Sequence, residues 1–167
     1  MIEQEIILTN SECNQILDLC NNLEFKRSRV SDSNDYSEIT DYRTSYEITL
    51  SNDTFISNLL LPKLEKFGVS SLPNFIKVIR YETGQEFKYH VDNGGVFDYR
   101  IKSISIQLSD EYEGGEMVVW GYDGDLLFNK EIGNLIIFNS ELPHQVFPIK
   151  SGVRYSLVMW LSEENIV

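Results

Sequence analysis

Phe75-Ile76-Lys77-Val78-Ile79-Arg80-Tyr81 and Val153-Arg154-Tyr155-Ser156-Leu157-Val158-Met159-Trp160-Leu161 are the two stretches whose reading decides the fold. Both are short, rich in β-branched and aromatic residues, and bounded by turn formers such as Asn74, Gly84 and Gly152, which is the signature of strands. Between them run Phe87–Val91, Ile101–Leu108, Met117–Trp120, Leu135–Phe138 and Gln145–Ile149, separated by Gly, Asn and Asp turns. Many short strands at even spacing predict a sandwich or a small barrel. The texture before Gly68 differs. Residues 9–24 open with the N-cap material Thr9-Asn10-Ser11-Glu12 and carry helical apolar spacing. Residues 42–50 alternate like a strand, and Asp53 to Phe67 reads as a second helix broken near Pro62. The expected fold is therefore mainly β with N-terminal helices: a double-stranded β-helix, or jelly roll, buttressed by two or more helices. The reading places one domain over 1–167, with helical support in 1–70 and the jelly-roll core in 73–162.

Composition sets bounds on function. The chain has 167 residues, 42% apolar and 24% charged, the mix of a folded domain able to bury its own core. Fourteen basic against 26 acidic residues give a net charge of −12, which disfavours a nucleic-acid backbone binder. No apolar run approaches the roughly 20 residues that span a bilayer, and the acidic Met1-Ile2-Glu3-Gln4-Glu5 does not resemble a signal peptide. Cys13 and Cys20, two turns apart on the expected first helix, are too far apart for a disulfide and read as core filling with Ile16, Leu17 and Leu23. These features predict a cytoplasmic protein with no membrane and no nucleic-acid partner.

The chemistry concentrates on few residues. The only histidines are His90 and His144. On a strand, residues i and i+2 share a face, so Tyr89-His90-Val91-Asp92 presents an imidazole beside a carboxylate. His144 follows Asp92 by 52 residues, an interval across which a jelly roll can bring a late strand to an early one. Two His and one carboxylate on one face of a metal make the facial triad of non-haem Fe(II) oxygenases, although zinc accepts the same ligands. A lone His-x-Asp is more often a surface hydrogen bond. Arg154, ten residues after His144, shifts that balance. It shares a strand face with Ser156 amid apolar neighbours, and a buried guanidinium calls for a carboxylate.

Together these residues resemble the Fe(II)- and 2-oxoglutarate-dependent dioxygenases, in particular the prolyl 4-hydroxylase branch. His-x-Asp, about fifty residues, His, and a basic residue ten further on match His90, Asp92, His144 and Arg154. Tyr81 with Gly84-Gln85, Gly114-Gly115-Glu116, Gly133–Phe138 and Arg43-Thr44-Ser45 resemble further motifs of the branch. The resemblance implies Fe(II) on His90, Asp92 and His144. It implies 2-oxoglutarate held by Arg154 with Ser156 and Tyr81, O2 as oxidant, and ascorbate as accessory reductant. No catalytic group beyond the metal centre is implied. Phe87 departs from the branch, which often carries Tyr three residues before the first ligand.

The implied reaction is hydroxylation of prolyl residues in a peptide or protein, with release of succinate and CO2. Arg43, Ser45 and Trp160 resemble parts of the peptide groove, and the polar loop Ser31–Asp41 reads as a lid. Their bland readings are a solvated strand face, core packing and a floppy connection. An oxygenase acting on a free amino acid or other small molecule would need its own charged clamp. No second inward-facing Arg or Lys is expected near the metal motif. A non-catalytic jelly-roll binding module is the remaining class, and it has no use for Arg154.

Overall fold

The structure, a computed structural model, describes residues 1–31 and 37–167. The strands in chain order are β1 (Ile2–Ile6), β2 (Lys26–Arg27), β3 (Val30–Ser31), β4 (Ser37–Glu38), β5 (Tyr46–Ser51), β6 (Phe75–Tyr81), β7 (Phe87–His90), β8 (Lys102–Gln107), β9 (Tyr112–Gly114), β10 (Met117–Gly121), β11 (Gly124–Leu127), β12 (Asn134–Asn139), β13 (His144–Val146), β14 (Ile149–Gly152) and β15 (Arg154–Leu161). Two helices, α1 (Asn10–Asp18) and α2 (Thr54–Leu64), precede the main run of strands. A seven-stranded antiparallel sheet has the order β1-β12-β8-β15-β6-β5-β2, and a four-stranded one the order β11-β10-β13-β7. The long apolar strands are thus mainly β with few helices, as the strand pattern predicts.

The central strands of the large sheet, β8, β12 and β15, are buried on both faces, which is why their sequences are largely apolar. Leu157, Met159 and Leu161 of β15 join Ile16 of α1 and Ile56, Leu60 and Leu64 of α2 in one core. Ile79 and Tyr81 of β6, with Ile136 and Phe138 of β12, join Met117, Val119 and Val146 of the small sheet in a second. The residues of β15 pointing into the space between the sheets are Arg154, Ser156, Val158 and Trp160. Period-2 alternation therefore delivers polar chemistry to the interior of the second layer while the first layer holds the sheet to its helices.

The helices differ from the expectation in two ways. α1 is capped by a reciprocal Thr9–Glu12 box but ends at Asp18, not 24. The chain then tightens through Leu19 N–H to Ile16 O and Cys20 N–H to Leu17 O, followed by the weak helix formers Asn21 and Asn22. Cys13 and Cys20 remain buried free thiols, whereas Leu23 is 48% exposed and lies outside the core. α2, N-capped by Asp53, runs through Pro62 instead of breaking there. An internal proline costs about 3 kcal/mol or more, but Ile56, Leu60 and Leu64 are fully buried on both sides of it. Each such side chain contributes roughly 1.5–3 kcal/mol, so burial wins.

The first seventy residues supply more than helices: β1, β2 and β5 extend the large sheet. β1 is a polar edge strand, Ile2-Glu3-Gln4-Glu5-Ile6, with no alternating apolar signal. It is locked on by Gly133, whose carbonyl accepts from Ile7 N–H at 2.9 Å. No helix among the described residues is long and apolar enough to cross a membrane.

Candidate metal centre and cosubstrate cavity

β7 and β13 are neighbours in the small sheet, with His90 directly opposite His144. Asp92 lies beyond the end of β7, not on it as the strand reading has it. Its own N–H donates to Ser140 O at 3.0 Å, and this turns its side chain back onto the two imidazoles. Asp92 Oδ1 is 3.7 Å from His90 Nε2, and Oδ2 is 3.3 Å from His144 Nε2. One donor atom from each of the three residues lies within 4.8 Å of the others. His90 Nδ1 is 2.7 Å from Lys88 O, and His144 Nδ1 is 3.0 Å from Leu142 O. A carbonyl only accepts, so each Nδ1 carries a proton, and Nε2 is the nitrogen that each ring turns toward Asp92.

The surrounding groups keep Asp92 and His90 in ligand form. Burial alone would raise the Asp92 carboxyl, but His144, His90 and the Ser103 hydroxyl together hold it well below the usual carboxylate range. Burial and the neighbouring His144 push His90 down to about 3, so it stays neutral. For His144 burial acts downward too, but Asp92 outweighs it and the net direction is up. Ser103 Oγ donates to Asp92 Oδ2 at 2.7 Å and sits 2.9 Å from Ser140 Oγ. Neither serine stands out in sequence reading. The available signal was the polar spacing Ser103, Ser105, Gln107 in a strand otherwise built for burial.

Arg154 is 2% exposed, the largest of the fully buried side chains. Its Nη1 reaches Ser156 Oγ at 3.5 Å, whereas Nη2 is buried with no hydrogen-bond partner among the described residues. No carboxylate of the described residues pairs with it. A desolvated guanidinium left this way costs several kcal/mol, and a carboxylate brought into the cavity removes that cost. Tyr81 lies opposite Arg154 in the β6–β15 ladder, with the guanidinium 5.5 Å from its ring centre. Burial pushes the Tyr81 phenol up, so it remains a hydroxyl donor. One cavity is lined by His90, Asp92 and His144 together with Tyr81, Arg154 and Ser156. The donor set suits a divalent metal, and the orphaned Arg154 edge suits a dicarboxylate such as 2-oxoglutarate.

The chain resembles known proteins along most of its length. The model of the 2OG-Fe(II) oxygenase superfamily matches residues 76–162, a segment that contains the whole His90–Asp92–His144–Arg154 set.

This chain belongs to the 2OG-Fe(II) oxygenase superfamily.

The oxygenase is 26% identical over 167 aligned residues to a PKHD-type hydroxylase of Rippkaea orientalis, covering 93% of this chain and 75% of that one. To a PKHD-type hydroxylase of Shewanella oneidensis it is 37% identical over 89 residues, covering 49% of this chain and 40% of the relative. Its fold is similar to that of a Pseudomonas putida prolyl-4-hydroxylase, with TM-score 0.73, 18% identity and coverage of 96% and 91% of the two chains. It is likewise similar to a Trichoplax adhaerens prolyl hydroxylase in complex with a hypoxia inducible factor peptide fragment, with TM-score 0.76, 17% identity and coverage of 98% and 83%. Membership makes this an oxidoreductase that uses Fe(II), 2-oxoglutarate and O2.

An outer groove adjoins the cavity and shares Arg43, Phe87, His90, Asp92 and Trp160 with it. Arg43 Nη2 lies 3.3 Å from Glu47, and its guanidinium covers the Phe87 ring at 4.8 Å. The Phe87 ring also stacks on His90. Ser45 is fully buried. It accepts from Arg43 Nε at 3.2 Å, donates to Ser28 Oγ at 2.9 Å, and lines neither the cavity nor the groove. It therefore orients Arg43 from behind, and the direct peptide contact expected of it is not available. Of the expected lid Ser31–Asp41, Ser31 and Ser37 line the groove, and residues 32–36 lie outside the described residues. The expectation of no further cation near the metal motif is corrected by Arg100, whose guanidinium lies 4.1 Å from the Trp160 ring centre and which lines the same groove. It comes from the turn after Asp92, where alternation carries no information about direction.

Proposed function

We propose that this oxygenase hydroxylates prolyl residues within a peptide or protein, releasing succinate and CO2. In this reading the two facing sheets are the jelly roll of the family, in a single domain spanning 1–167. His90, Asp92 and His144 hold Fe(II), with both imidazoles fixed by backbone carbonyls and the carboxylate by Ser103. Arg154 receives the far carboxylate of 2-oxoglutarate, with Ser156 beside it and the Tyr81 hydroxyl as a further donor. The iron and its cosubstrate supply the oxidising chemistry, and the protein's part is to position the reacting C–H and exclude water.

The observation that carries the peptide reading is the groove itself. It runs past the metal ligands and is walled by Arg43, Phe87, Arg100 and Trp160, a surface able to hold a chain that continues on both sides of the reacting residue. The PKHD-type hydroxylase and prolyl hydroxylase likenesses support the same class. A free amino acid is the second reading, favoured by Arg100 as a clamp for an α-carboxylate. The test is mass spectrometry of a proline-peptide panel and free L-proline, each incubated with the protein, Fe(II) and 2-oxoglutarate. A gain of one oxygen on a peptide is the expected result. Faster oxidation of free L-proline than of every peptide would transfer the assignment to the second reading.

A further inference from the structure

The positive charge in the outer groove is distributed unevenly. Arg43 and Lys77 both line it, and both are answered by the one carboxylate of Glu47, at 3.3 Å from Arg43 and in direct contact with Lys77. Arg100 has no carboxylate within 4.0 Å among the described residues. Its guanidinium lies against Phe97 at 3.8 Å and Trp160 at 4.1 Å from the ring centres, and Nη1 donates to Asp92 O at 3.3 Å. The Nε is buried with no hydrogen-bond partner among the described residues. Two rings and a carbonyl thus fix the plane of the fork while part of its donor edge stays unmatched. A planar, pre-oriented fork is what bidentate carboxylate recognition needs.

We propose that Arg100, stacked on Trp160 at the edge of the metal site, binds a carboxylate of the substrate and makes the enzyme selective for acidic substrates. The inference rests on the hydroxylase reading above and deepens it. Two sources share this chemistry: an Asp or Glu side chain flanking the oxidised residue, and the free α-carboxylate of a chain end or of an amino acid.

The test is equilibrium binding by calorimetry under argon, with the protein loaded with Fe(II) and 2-oxoglutarate. Four ligands are compared: a C-terminally amidated proline peptide with flanking Glu, its Gln counterpart, the Gln peptide ending in a free carboxylate directly after proline, and L-proline. The best carboxylate-bearing ligand is expected to bind about tenfold or more tightly than the all-amide peptide, as for a desolvated charge pair. The rank among the three carboxylate ligands identifies the source. In Arg100→Gln that advantage falls below about twofold, whereas Arg100→Lys, which keeps the charge and loses the fork, retains a reduced part of it. Equal binding of acid and amide forms, binding of none of the four, or an advantage that survives in Arg100→Gln overturns the proposal. Should Arg100→Gln fail to fold, an undiminished advantage in Arg100→Lys does so. Oxygen gain is scored separately on the same ligands. Hydroxylation without acid preference removes the Arg100 assignment alone, and acid-dependent binding without oxygen gain removes the hydroxylase reading alone.

Discussion

In the proposed metal site, three side chains and one hydroxyl do not contribute equally. A facial triad has no spare protein ligand, so His90→Ala, Asp92→Ala and His144→Ala are each expected to abolish 2-oxoglutarate turnover with the fold retained. Ser103 acts one step further out, through its 2.7 Å bond to Asp92 Oδ2. Ser103→Ala should weaken Fe(II) binding by roughly 10- to 100-fold, measured by metal titration, and an unchanged affinity would remove Ser103 from the account. Arg154 carries a different signature, because its Nη2 is buried and unmatched among the described residues. Arg154→Met is expected to leave the melting temperature of the cosubstrate-free protein unchanged or raised, since it deletes a buried, uncompensated charge. The same change should remove the stabilisation that 2-oxoglutarate gives. At a hundredfold excess over Kd that stabilisation is about 2.7 kcal/mol, or roughly 5–11 °C for a domain of this size. A full 2-oxoglutarate shift in Arg154→Met would demand another cation.

The strands explain which parts of the site could be read in advance. Arg154, Ser156 and Tyr81 sit inside regular strands, where a period of two fixes direction, and they face the cavity as the pattern requires. His144 lies on a short strand and faces His90 as expected. Asp92 and Arg100 lie in the irregular segment after β7, so their positions depend on bonds to Ser140 and the Asp92 carbonyl that no local pattern reveals. Ser45 lies just before β5 and fails as a groove residue, because its hydroxyl is engaged by Ser28 and Arg43. β1 was illegible for a related reason: its stability comes from pairing with β12 and from Gly133, not from its own side chains. A Cβ on Gly133 would lie 1.8 Å from Leu8 O, at a φ of +80°. Gly133→Ala should cost roughly 2–5 kcal/mol from the left-handed backbone and the overlap together, seen as a fall in melting temperature. A fall below about 2 °C would mean that β1 is dispensable.

At the scale of the whole molecule, the large sheet separates two duties. Its helix-facing side is apolar and supplies stability, and the side facing the small sheet carries Tyr81, Ser103, Arg154 and Ser156, across the cavity from the two histidines of the small sheet. Substitutions in the first layer should therefore lower stability at unchanged 2-oxoglutarate affinity. Leu157→Ala, at a fully buried position, is expected to cost about 2–5 kcal/mol. The most direct test of the account supplies isotopically labelled O2 to the protein with Fe(II), 2-oxoglutarate and the proline-peptide panel. The expected result is one labelled oxygen in succinate and one in a peptide prolyl residue, both absent with Asp92→Ala. Labelled succinate with no labelled peptide would contradict the assigned substrate, and turnover persisting in Asp92→Ala would contradict the metal centre itself.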